Sequence, residues 1–141
     1  MKDNMIPKGA GIVLFNEKDE VLTLLVDEEL AKKNGGVLDL PKGVIEKNET
    51  VWQCAVRETF EETGINITTA NLEWGLDPII HGNLTMFLAR TKEHGSLNRN
   101  PKSGIYEHQM LLWDKPSTIF SSLYGYLKPI LEQAILTTGI S

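Results

Sequence analysis

A single cysteine, three histidines and no long apolar run narrow this 141-residue chain before any motif is considered. A lone Cys54 cannot close an internal disulfide, and one Cys without paired His excludes the tetrahedral sulfur and nitrogen sets that zinc favours. No DxDxDG run occurs, which excludes a twelve-residue calcium loop. No stretch approaches the ~20 apolar residues of a membrane helix. The opening residues 1–8 lack the apolar segment of a secretory signal, so the expected location is cytoplasmic, away from membranes. Cys54 is then a free thiol with no His nearby in sequence, and it reads as a small packing residue. In such a compartment the Asn-x-Thr triplets at Asn48, Asn66 and Asn83 are not glycosylation acceptors.

Basic charge is also in deficit. Against 19 acidic side chains stand 14 basic ones, a net charge of −5, and no basic run is long enough to track a duplex backbone. Duplex nucleic acid is therefore not an expected partner. A small anionic ligand remains compatible, because a bound cation inverts the local potential whatever the net charge of the protein. The 41% apolar and 23% charged content is that of an ordinary soluble globule of common domain size. Neither a repeat nor an internal boundary divides the chain, and residues 1–141 are expected to form a single domain, as a monomer or homodimer.

Apolar, β-branched runs at 10–15 and 21–26 flank the polar segment 16–20 and predict a hairpin. The charged stretch 28–36 ends in Gly35-Gly36 and reads as a flexible surface loop. Residues 37–40 resume a short strand. Further strands are expected at 72–80 and 84–89 around a tight His81-Gly82-Asn83 turn, and a long polar loop over 90–104. Residues 106–113 read as another strand, with Met110 to Leu112 too continuously apolar for an exposed edge. Leu127, Ile130, Leu131, Ala134 and Ile135 give a closing helix over 124–137, which Pro129 either starts or kinks.

The chemistry concentrates in a helix-sized stretch from Ala55 to Ile65. Glu58, Glu61 and Glu62 stand at i, i+3 and i+4, so their carboxylates share one stripe and repel, by roughly 0.2 to 0.5 kcal/mol per close pair in an isolated helix. A divalent cation removes that penalty. All-oxygen ligands point to a hard ion, Mg²⁺ with Mn²⁺ able to substitute, and magnesium chemistry usually involves phosphates. On the other side, Trp52, Val56, Thr59, Phe60 and Thr63 fall within an arc of about 100° that is expected to face the core. Thr50 or Asn48 can cap the N-terminus, and Gly64 suits a left-handed C-terminal cap.

With Gly43 and Glu49 upstream, the run Gly43, five residues, Glu49, seven residues, Arg57-Glu58-Thr59-Phe60-Glu61-Glu62-Thr63-Gly64-Ile65 resembles the Nudix box over residues 43–65. It matches at every glycine, glutamate and arginine position and departs at Thr59, where the family has a larger aliphatic residue. The resemblance implies an α/β fold, an α/β/α sandwich with a mixed sheet in which the motif forms loop, helix and loop. It also implies a Mg²⁺-dependent hydrolase that attacks a phosphoanhydride with water. In proteins similar to this one the matches to Glu61 and Glu62 bind the metal, the Gly43 carbonyl often joins them, and the match to Glu58 binds metal or takes the proton from water. Arg57 lies four residues before Glu61 and can hold a carboxylate in a bidentate pair. Glu49 completes the metal shell or holds Arg57.

The entry Leu40-Pro41-Lys42-Gly43 and the segment Glu107-His108-Gln109, followed by Trp113, resemble the dinucleoside tetraphosphate hydrolases. That likeness implies a nucleotide substrate such as diadenosine tetraphosphate, with Lys42 contacting a terminal phosphate, Glu107 a further metal ligand and His108 assisting on a phosphate. Tyr106 and Trp74 are candidates to stack on a base, against the commoner role of aromatics in a core. The alternatives are an ADP-ribose or nucleotide-sugar hydrolase, an RNA 5′-end pyrophosphohydrolase, an oxidised-nucleotide hydrolase, and a nucleotide sensor that does not hydrolyse.

Overall fold

A computed structural model describes residues 6–141; part of the opening segment read above for the absence of a secretory signal lies outside the described residues. The hairpin forms as β1 (Gly9–Phe15) and β2 (Val21–Leu25), antiparallel at Phe15 and Val21. β1 is apolar throughout because both of its faces are covered. Val13 and Phe15 point into one core cluster and Ala10, Ile12 and Leu14 into the other, the period of two that a pleated strand imposes.

β1 lies at the centre of a seven-stranded mixed sheet. It runs parallel to β6 (Leu84–Arg90) along its whole length and antiparallel to the short β4 (Lys42–Val44) at Gly9 to Gly11. β5 (Ile79–His81) pairs with β6 through a two-residue Gly82-Asn83 turn. β2 is flanked by β3 (Leu38–Asp39) and by β7 (Met110–Asp114). α2 (Val51–Thr63) packs on one face through Cys54 and Ala55. α4 (Lys128–Thr138) packs on the other through Ile130, Leu131 and Ala134. This is the expected α/β/α sandwich. No helix among the described residues is long and apolar enough to cross a membrane.

Several elements differ from the sequence reading. Residues 28–36 are not a loop: α1 (Glu28–Asn34) is capped by Asp27, which accepts from the Leu30 amide at 2.9 Å, and closed by Gly35 in the left-handed region at φ 69°. Its first turn is acidic and its last turn basic, so the charges that suggested a solvated loop complement the helix dipole. The strand expected over 72–80 shrinks to β5. A 3₁₀ turn at Thr69–Asn71, the positive φ of Gly75 and the missing amide of Pro78 keep the preceding residues out of the ladder. β7 begins only at Met110 and pairs with β2 alone among the described strands, leaving Met110 50% exposed at the edge. A short α3 (Pro116–Ile119) was not foreseen. Pro129 falls in the first turn of α4 and starts it without a kink.

The motif helix is punctuated by Thr50, whose side chain forms a reciprocal capping box with Gln53, and by Gly64 in the left-handed region. Its buried face is rotated from the expected arc. Cys54, Ala55, Thr59, Glu62 and Thr63 are buried, whereas Phe60 is half exposed. Thr59, the one departure from the family pattern, lies wholly in the core with its hydroxyl unpartnered, while Thr63 Oγ1 donates to the Thr59 carbonyl at 2.6 Å. An orphaned buried hydroxyl costs about 1 to 3 kcal/mol. Thr59→Val is therefore expected to raise stability by about 1 kcal/mol in urea denaturation; a loss of stability contradicts the orphan assignment.

Candidate active site

α2 projects Arg57 toward the loop between β4 and α2, and the guanidinium gathers what the motif spacing separates. Nε and Nη2 donate to the two oxygens of Glu49 at 2.6 and 3.0 Å. Nη1 donates to Glu58 at 2.8 Å and, more loosely, to Glu61 at 3.3 Å, while Nη2 also reaches the Val44 carbonyl at 2.9 Å. The bidentate pair with Glu49 fixes the plane of the fork. Both Glu49 oxygens are thereby engaged, and the Arg57 hydrogen bond holds this carboxyl below its ordinary value. Of the two roles left open for Glu49, the geometry realises the contact with Arg57.

Glu58, Glu61, Glu62, Arg57, Gly43 and Glu107 line one cleft of about 320 Å³, together with Asn100, Pro101 and Lys102 of the loop that precedes β7. Gly43 is glycine for a steric reason. A Cβ there would collide with the Glu58 carboxylate, so only a residue without a side chain lets that carboxylate lie against the β4 backbone. Burial raises the Glu58 carboxyl above its ordinary value despite Arg57, with Glu61 and Glu107 adding to the rise. Glu62 is only 9% exposed and accepts the Lys42 amide at 3.2 Å. Burial, followed by the neighbouring Asp39 and Glu58, pushes it well above the usual carboxylate range.

Lys42 and His108 meet elsewhere, on Asp39. The Lys42 ammonium is 3.2 Å from Asp39 Oδ1 and lies 5.7 and 5.3 Å from the Tyr124 and Tyr126 ring centroids. Burial opposes its charge, but Asp39 and Tyr126 outweigh that and raise its pKa. His108 is not among the residues that line the cleft. Its buried ring sits with Nε2 3.5 Å from Asp39 Oδ2, while the neighbouring Glu107 lines the cleft. Asp39 itself escaped the sequence reading, although a charged residue within the apolar run 37–40 was the available signal. Cys54 is buried with its thiol 3.5 Å from the Gly43 carbonyl, and burial with the nearby Glu49 pushes it up to about 12, consistent with packing. Trp74 packs edge-on against Phe15 with ring centroids 5.5 Å apart, a core role.

A second cavity of about 540 Å³ adjoins the cleft across Lys42, Gly43 and Val44, and is walled on its far side by His81, Asn83 and Tyr126. Among the described residues, no three Cys, His, Asp or Glu side chains form a ready-made metal cage. The donors instead form an open set of hard carboxylate oxygens, with one guanidinium against several carboxylates. Such a set suits an ion that keeps part of its water shell, as Mg²⁺ does, and the buried Glu62 forms no side-chain ion pair among the described residues.

The raised Glu62 carboxyl has a consequence for stability. It binds more protons folded than unfolded, so it contributes no penalty below its ordinary value of 4.5, and its penalty grows as pH rises and levels off above the folded pKa. Metal-free Glu62→Gln is therefore expected to melt several degrees above the wild type near pH 8, with the gap closing toward about pH 4 in calorimetric scans. A lower melting point for the variant near pH 8 contradicts this.

Comparison with known proteins agrees with the architecture. The NUDIX domain model matches residues 5–119. Nudix hydrolase 6 of Arabidopsis thaliana is 37% identical over 57 residues, 40% of this chain and 20% of that protein. Matches of this kind span only 20% to 38% of the curated relatives' own length. Among solved structures, a C. elegans Ap4A hydrolase binary complex superposes with a TM-score of 0.66 at 22% identity, covering 93% of this chain and 98% of that one. A MutT protein from Methanosarcina mazei Go1 gives 0.63 at 20% identity, covering 94% and 95%. Scores this close, at such identities, speak for a shared fold and not for a shared substrate. The family match spans most of the chain and includes the whole carboxylate motif, and this chain belongs to the NUDIX domain family.

Proposed function

We propose that this Nudix hydrolase is a Mg²⁺-dependent pyrophosphohydrolase of dinucleoside polyphosphates such as diadenosine tetraphosphate. The observation that carries the reading is the arrival of Glu107, from a loop more than forty residues beyond the motif, in the same cleft as Glu58, Glu61 and Glu62. A carboxylate from outside the motif there matches the segment that set this chain beside the dinucleoside tetraphosphate hydrolases. The large cavity beyond Lys42 supports it further, since a nucleoside has room next to the site where phosphates would be held.

In this reading Glu61, Glu62, Glu107 and the Gly43 carbonyl offer oxygen ligands to the cation. When bound, Mg²⁺ neutralises phosphate charge and makes a bound water more acidic. Glu58, which binds metal or serves as base in relatives, has the raised basicity suited to accepting the proton of the attacking water. Arg57 orients Glu58 and Glu61 and keeps Glu49 in place. Lys42, steadied by Asp39, presents positive charge between the cleft and the nucleoside cavity, where it can meet a phosphate. Positioning and charge neutralisation are most of what phosphoryl transfer asks of a protein.

The test is product mass spectrometry in heavy-oxygen water with Mg²⁺ and a mixture of diadenosine tetraphosphate, ADP-ribose, capped RNA and nucleoside triphosphates. The expected result is ATP plus AMP, with label in one of them, and a loss of about 100-fold or more in turnover for Glu61→Gln with the fold retained. Preferential turnover of another member of the mixture contradicts the substrate, and undiminished turnover by Glu61→Gln contradicts the metal assignment. Saturable nucleotide binding with no product from any member favours a sensor.

A further inference from the structure

Phe60 and Tyr106 are 50% and 51% exposed and border the same shallow cavity of about 460 Å³. Neither exposure follows from packing. Phe60 belongs to the motif helix, where its spacing from Val56 and Thr63 would suit the core, yet the helix is rotated so that the ring stands outside it. Tyr106 lines the cavity from the wall formed by the loop between β6 and β7, with the Arg99 guanidinium carbon 5.2 Å from its ring centroid.

The loop that carries this wall is tied to the motif helix and to itself. Asn98 Nδ2 donates to the Phe60 carbonyl at 3.1 Å and the Ser96 amide to the Thr63 carbonyl at 2.8 Å. Within the loop, the Asn100 amide donates to the Ile105 carbonyl at 2.8 Å, and Lys102 Nζ reaches Glu46 across the carboxylate cleft at 3.2 Å. These bonds keep two aromatic faces and a guanidinium around one space.

That space adjoins the carboxylate cleft. The two share Glu61 and Pro101, and the cleft shares Lys42, Gly43 and Val44 with the larger cavity on its other side. Three cavities therefore run in series, with the carboxylates in the middle. A ligand filling all three would place its anionic centre at the carboxylates and a ring at each end. Aromatic faces with an arginine are the usual means of holding a base by stacking, without readout of its edges.

We propose that the cavity between Phe60 and Tyr106 binds the second nucleobase of a two-ended polyphosphate substrate, with Arg99 reinforcing the stack. The inference rests on the dinucleoside polyphosphate reading and deepens it, since a one-ended nucleotide would leave this cavity unfilled. Both rings are exposed, so their removal creates no core void.

The experiment compares kcat/KM for diadenosine tetraphosphate with that for adenosine 5′-tetraphosphate, which offers the same anhydrides with one base. Wild type, Tyr106→Ala, Phe60→Ala and Tyr106→Trp are measured side by side. The ratio of two-ended to one-ended substrate is expected to fall by roughly 5- to 100-fold in each alanine variant, and to be retained in Tyr106→Trp. An unchanged ratio in both alanine variants, or an equal fall on both substrates, overturns the second-base site while the substrate reading stands. A wild type that turns over neither compound overturns the substrate reading, and the second-base site with it.

Discussion

One guanidinium serves several carboxylates, and the rest of the site is arranged around that imbalance. Arg57 contacts Glu49, Glu58 and Glu61, and Glu46 lies 3.7 Å away. Two unit charges about 4 Å apart interact by roughly 4 kcal/mol at an effective dielectric constant near 20, so a single cation cannot neutralise the group. Arg57 instead decides how the acids are divided. Glu49 is consumed by the bidentate pair, Glu58 and Glu61 are steered without being saturated, and Glu62 and Glu107 are left to the cleft. In the proposed reading the residual negative charge attracts a hard cation, which a protein of net charge −5 needs if it is to hold a polyphosphate.

The fold makes this arrangement possible by rigidity on one side and reach on the other. α2 is fixed by its capping box, by Gly64 and by Cys54 and Ala55 against the sheet, so the carboxylates leave it in set directions. β4 passes beneath with Gly43, the one residue type that lets the Glu58 carboxylate approach the backbone. The opposite wall is a loop pinned through Ser96 and Asn98 to the end of the same helix, which brings Glu107 across. Lys42 is held by buried Asp39 at the boundary with the neighbouring cavity. The cleft is thus assembled from a helix, a two-sided strand contact and a tethered loop, each anchored separately.

Much of this was legible in the residues. Carboxylates at i, i+3 and i+4 can share only one helix stripe, and β-branched runs around a polar turn can hardly form anything but a hairpin. Glu107 was found through a short segment that resembled a subgroup of the family. The misses have physical causes. α1 was obscured because charges and a glycine pair suggest a loop until they are read as dipole complements and a cap. The orientation of Phe60 and the burial of His108 depend on the rotation of α2 and on how the segment before β7 meets Asp39. These are set by tertiary packing and leave no local pattern. Asp39 stood in plain sight, but its partners lie three and sixty-nine residues away.

The central claim, that the carboxylates form a divalent-cation site and not merely an ion-pair network around Arg57, is tested most directly by titrating the full chain with Mn²⁺ under electron paramagnetic resonance. The account predicts saturable binding that Mg²⁺ competes away and that a Glu58→Gln, Glu62→Gln double variant weakens at least roughly tenfold while remaining folded. Absence of saturable binding, or binding that the double variant leaves unchanged, would contradict it.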